Sequence, residues 1–141
     1  MHIPEISLPD FSSGDLRNAA SVLETCRKAP LPEYGFPYPF IAPGGCYGNM
    51  WWQLDFALGL TGLRWLDPAF AEQSILNFET CQKPDRRISL WGSDRLPEYK
   101  GERLQRTETS SLPKLFDAAL KIAKGSRDEN FIQRCEAFST R

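Results

Sequence analysis

The chain has 141 residues, enough for one domain whose compact form buries roughly two thirds of its unfolded surface. Its 17 basic and 18 acidic residues are mixed along the sequence and leave a net charge of −1, which excludes the one-signed field that nucleic acid or an acidic membrane requires and favours a neutral ligand. The only histidine is His2 and the four cysteines form no CxxC pair, so neither a protein-only zinc site nor a cofactor is expected.

Cys26, Cys46, Cys81 and Cys135 read as reduced, mostly buried thiols. Met1–Glu5 lacks a basic segment followed by an apolar one, and no apolar run approaches a membrane span, so the expected location is cytoplasmic and no membrane partner is expected.

Pro4, Pro9 and Gly14 make the first residues an extended lead-in. A helix follows from about Asp15 to Lys28, with Ser13 or Asp15 near its cap and Leu16, Ala19, Ala20, Leu23 and Cys26 on one stripe. Between Pro30 and Asn49 stand five prolines, five aromatics and four glycines, which forbid regular helix but are too apolar for a disordered linker. Tyr34, Phe36, Tyr38, Phe40 and Tyr47 either line the rim of a site or plug the end of the core.

The spacing predicts a second helix over about Met50–Leu66, apolar nearly all round and therefore enclosed by protein. Three of the four tryptophans, Trp51, Trp52 and Trp65, fall within it, and Asp55 becomes an acid in the first turns of a buried helix, in need of a partner, a capping role or a ligand. Asp67-Pro68 restarts the chain as cap and first helical residue of a third helix to about Gln82, which buries Phe70, Ala71, Ile75, Phe78 and Cys81 and forms a hairpin with the second, lying outside it. The long charged loop Lys83–Ser111 returns through Ile88–Arg95 to the rim where the second helix starts, carrying Trp91, Asp94 and Arg95. A fourth helix spans about Leu112–Lys124, and a fifth starts near Asp128 with Phe131, Ile132, Cys135 and Phe138 on one stripe.

The stretch Tyr47-Gly48-Asn49-Met50-Trp51-Trp52-Gln53-Leu54-Asp55 carries the chemistry: a Gly-rich turn into a helix with two indoles and a carboxylate. A pyranose has an apolar C–H face that stacks on an indole and hydroxyl pairs that donate to a carboxylate. Together with QKPDRRISLWGSDRLP and SSLPKLFDAALKIA, the segment from about Gly44 to the C-terminus resembles the first hairpins of (α/α)6-barrel glycoside hydrolases. The similarity is to the mannosylglycerate hydrolase, glucosidase family 63 and trehalase group, whose W-x-W-D motif sits at the mouth of an inner helix.

The resemblance implies an all-α fold of about five helices with long rim loops. The chain would be the N-terminal portion, residues 1–141, of a single toroid domain, with residues 1–43 as a lead-in and 44–141 as two helical hairpins. It also implies an inverting α-glycosidase acting on a small carbohydrate, with Trp52 and Asp55 at the −1 subsite; Trp51 beside them is read as a further substrate-binding residue, as are Trp91, Asp94 and Arg95 of the returning loop, whose polar tips either meet sugar hydroxyls or only tie the loop down. The general acid and base are expected beyond residue 141, so no catalytic residue falls in this sequence and the chain by itself is expected to be inactive. Leu54 replaces the motif's second Trp, and Pro84-Asp85-Arg86-Arg87-Ile88-Ser89 departs from the family's P-D-G-R-I-P loop. The alternative from another class is a non-catalytic helical module that binds sugar or serves as a scaffold.

Overall fold

The computed structural model describes residues 7–8, 11–44, 48–82, 84–85, 87–88, 90–92 and 114–140. It is mostly helical, with five α-helices and three two-residue strand pairs among the described residues.

β1 (Ser7–Leu8) pairs antiparallel with β2 (Phe11–Ser12), which leads directly into α1 (Ser13–Thr25). Ser12 is the cap. Its amide donates to the Asp15 carboxylate at 2.8 Å and its hydroxyl accepts from the Asp15 amide at 3.3 Å, a reciprocal box that sets the helix start ahead of the expected Asp15. Nor does the helix reach Lys28. Arg27–Lys28 form β3, antiparallel to β4 (Phe40–Ile41), because Ala29 precedes Pro30 and the backbone there favours extended geometry.

The loop between β3 and β4 folds inward. A 3₁₀ turn at Pro32–Tyr34 ends on Gly35, whose φ of 81° suits only glycine, and places Phe36 and Phe40 in the core with 1% and 0% exposure. Two fully buried polar residues of α3 (Pro68–Cys81) fasten this loop. Asn77 accepts from the Tyr38 amide at 2.9 Å and donates to the Tyr38 carbonyl at 3.1 Å, while the Ser74 hydroxyl donates to the Pro39 carbonyl at 2.8 Å. A proline-rich segment cannot satisfy its own carbonyls, so side-chain amides and hydroxyls do so.

The second helix departs from its expected start. Trp51–Trp52 form β5, antiparallel to β6 (Trp91–Gly92), and α2 runs only over Gln53–Leu66. Asp67 caps α3 by accepting from the Phe70 amide at 3.1 Å, with Pro68 in the first turn as expected. All five residues expected in the α3 core, Phe70, Ala71, Ile75, Phe78 and Cys81, are buried. α3 buries eight named residues, whereas α2 buries five and leaves Leu54, Leu58 and Trp65 exposed. The described helices thus cover only part of the apolar surface of α2.

α4 (Lys114–Ala123) packs on α2, and α5 (Glu129–Thr140) returns against α4 and α3. Arg64 ties α2 to α4 by donating to the Lys121 carbonyl at 2.9 Å. Leu115, Ala118, Ala119, Ile122, Phe131 and Cys135 complete one hydrophobic core with α2 and α3. No helix of the described residues is long and apolar enough to cross a membrane.

Candidate functional site at the start of α2

The N-terminal end of α2 is built by the β5–β6 pair. The register sets Trp51 opposite Gly92 and Trp52 opposite Trp91, so the backbone of Trp91 lies beside the turn into the helix. Immediately before β6, the Leu90 carbonyl accepts from the Gln53 amide at 2.8 Å, satisfying one of the donors a helix start leaves open. No side chain of Trp52 caps the helix. A backbone carbonyl 37 residues downstream does this work, and nothing in local sequence announces it.

The two adjacent tryptophans have different environments. Trp51 is 5% exposed, its ring stacked on Phe36 at 4.9 Å between centroids and set edge-on to Phe78 at 5.3 Å. Its indole also presses on Gly92, where an added Cβ would lie 2.6 Å from Nε1. Trp51, expected among the substrate-binding residues, is therefore a core residue with its ring enclosed. Trp52 alternates to the other side of the strand and is half-buried, its Nε1 donating to the Met50 sulfur at 3.1 Å. Gly48, with φ of 59°, turns the chain just ahead of Asn49 and Met50.

Asp55 lies in the first turn of α2, where the helix dipole favours a carboxylate. It is exposed, not buried, and makes no hydrogen bond or ion pair among the described residues. The expectation of a costly buried acid is thereby corrected: the Asp55 side chain faces solvent. Gln53, beside it in the same turn, is 6% exposed with its Oε1 unpartnered among the described residues. The Trp91 side chain, Asp94 and Arg95 lie outside the described residues. In the loop that departs from P-D-G-R-I-P, the Asp85 carboxylate accepts from both the amide and Nε of Arg87, at 3.1 and 2.8 Å. Ile88 is then turned inward.

An open cleft of about 690 Å³ is at the other end of α2, lined by Glu24, Arg27, Leu66, Asp67, Pro68 and Ala69. Its charges are already committed. Arg27 donates to Asp67 at 2.6 Å, its Nε lies 2.9 Å from Glu24, and its guanidinium sits 4.3 Å over the Phe70 ring. Burial pushes the Asp67 carboxyl up, but the Arg27 and Phe70 hydrogen bonds and the Arg27 charge outweigh it and hold the group below its ordinary value.

Cys26, Cys81 and Cys135 are free and buried, and Cys46 lies outside the described residues. Burial pushes the thiols of Cys81 and Cys135 up to about 12, so neither is a nucleophile near neutral pH. Cys81 donates to the Gly35 carbonyl at 3.0 Å, a structural use. No group of three His, Cys, Asp or Glu side chains among the described residues could hold a metal ion.

Comparison with family models, with curated proteins and with solved structures returns no match.

Proposed function

We propose that the N-terminal end of α2 is a carbohydrate subsite, and that the chain is part of an (α/α)6-type glycoside hydrolase in which it binds the sugar. The observation that carries this reading is the β5–β6 pair, which brings the Trp91 backbone opposite Trp52 at the turn into α2, with the exposed carboxylate of Asp55 within the next helical turn. An indole and an unpaired carboxylate on a rigid helix start supply an apolar platform and an acceptor for paired hydroxyls. Two consecutive helical hairpins, α2–α3 and α4–α5, are compatible with this reading.

Asp55 is assigned to binding and not to proton transfer. An inverting hydrolase needs two carboxyl groups roughly 6.5–9.5 Å apart, and Asp55 is the only carboxylate that α2 carries. A second reading, a non-catalytic helical module, draws on Trp51, whose enclosure makes half of the aromatic pair structural.

Titration with methyl α-mannoside, methyl α-glucoside and glucosylglycerate, followed by backbone amide shifts in NMR, tests the subsite. Binding should move the amides of Trp52–Asp55 and Trp91–Gly92, and Asp55→Asn should weaken it by about tenfold or more while the thermal midpoint stays unchanged. No shift with any of the three sugars, or shifts confined to the cleft around Arg27, would defeat the proposal. Hydrolysis of an aryl α-glycoside by a longer chain separates the hydrolase from the non-catalytic module.

A further inference from the structure

Apart from Met1, Met50 is the chain's one methionine, and it stands two residues before Trp52. The extended backbone at Trp51 sends the side chains on either side of it to a common face, opposite the enclosed Trp51 ring. Met50 and Trp52 meet there through a hydrogen bond, the Trp52 Nε1 donating to the Met50 sulfur at 3.1 Å in a half-buried setting.

What this bond does follows from what is already fixed around it. The main chain at Trp52 is held by its pairing with Trp91, by the pairing of Trp51 with Gly92, and by the Gln53 amide, which donates to the Leu90 carbonyl at 2.8 Å. The Trp51 ring is locked against Phe36 and Phe78. With the backbone anchored, the Trp52 indole keeps only its two side-chain torsions. A bond from the far side of the ring to a neighbour on the same anchored segment restrains both. An indole has one donor and no acceptor, and this donor is spent on the sulfur. Trp52 can therefore meet a ligand only through its ring, whose angle decides how well an apolar C–H face fits on it. A thioether suits the task, being a weak acceptor that is otherwise apolar and polarizable beside the indole.

We infer that Met50 is a positioning residue: its thioether holds the Trp52 indole at one angle, so that the ring is ordered before the ligand arrives and less freedom is lost on binding. The inference rests on the carbohydrate reading of this site and adds to it that Trp52 recognises the sugar by its ring face alone.

The test compares Met50→Leu, which keeps an apolar side chain of similar volume and removes the acceptor, with Met50→Gln, which restores one. The four tryptophans give four indole N–H signals in NMR, and Trp52→Phe identifies that of Trp52. In Met50→Leu this signal should shift and its hydrogen exchange quicken by about tenfold, while the Trp65 signal and the thermal midpoint stay unchanged. Affinity for whichever of methyl α-mannoside, methyl α-glucoside and glucosylglycerate binds the wild type most tightly should fall about fivefold, and Met50→Gln should recover most of it. A Trp52 signal that does not move, an affinity that stays level in Met50→Leu, or a loss that Met50→Gln does not recover would each overturn the inference and leave the carbohydrate reading standing. A wild type that binds none of the three sugars would remove both, even where the Trp52 signal still responds to Met50→Leu.

Discussion

The two faces of α2 are equally apolar in sequence and opposite in fate. On one, Phe56, Leu60 and Leu63 are 1%, 0% and 0% exposed and join Phe36, Trp51 and Phe78 in a tightly fitted aromatic group. Phe56 meets Phe78 edge-on at 4.7 Å, and Phe36 meets Phe40 edge-on at 5.1 Å, geometries that favour the ring quadrupoles. On the other face, Leu54, Leu58 and Trp65 meet solvent within the chain. Apolar character therefore marks where a helix can be covered, whereas the covering itself depends on what the rest of the chain has to offer.

Four substitutions sharpen that contrast, beginning on the buried side. Phe78→Ala removes a ring fully enclosed by Phe36, Trp51 and Phe56, and should cost about 3–5 kcal/mol in chemical denaturation. A loss under about 1 kcal/mol would mean that the aromatic group is loosely packed. Gly92→Ala places a methyl 2.6 Å from the Trp51 indole, and overpacking of this kind costs about 1–3 kcal/mol. It should also disturb the start of α2, visible as shifted amides at Trp52 and Gln53; a neutral substitution would show that β6 does not lie against Trp51.

Asp67→Ala removes the α3 cap and the partner of Arg27, and a cap alone is worth about 0.5–2 kcal/mol. Because the folded carboxyl titrates below its ordinary value, its contribution is present above the unfolded value near 3.8 and fades as pH falls through the lower folded value. Wild type and Asp67→Ala should therefore converge in stability below about pH 4, as thermal melts across acidic pH would reveal. The smallest effect belongs to the open face: Trp65→Gln should change monomer stability by no more than about 0.5 kcal/mol. A larger loss would place Trp65 inside the core and remove the contrast between the two faces.

Much of the helical pattern was legible. The α3 start at Asp67-Pro68 and its buried stripe follow from capping chemistry and 3.6-residue periodicity, both local properties. The stripe of Phe131, Ile132 and Cys135 on α5 followed in the same way. The strand pairs were not legible, since two-residue strands carry no periodicity and exist only where a distant segment supplies the other half of each hydrogen bond. Two consequences run against the local pattern: Trp51 and Trp52 precede the helix their spacing predicts, and Asp55, on an apolar helix, is exposed. The Asn77 and Ser74 anchors are not legible in sequence either, because an Asn or Ser inside a helix reads as weak propensity until the loop it holds is in place.

The site shows the same division. Alternation along a strand, once β5 is known to be a strand, sends Trp51 inward and Trp52 outward, but only the pairing with β6 identifies it as one. The chain's own residues determined that five segments would be helical and where most of them would begin and end, because caps, prolines and spacing act within a few residues of themselves. Tertiary structure alone decided which face of α2 is enclosed, that Trp51 is core while Trp52 is half-buried, and that Asp55 meets water. Those outcomes depend on contacts between residues far apart in the chain, whose free energy no local pattern contains.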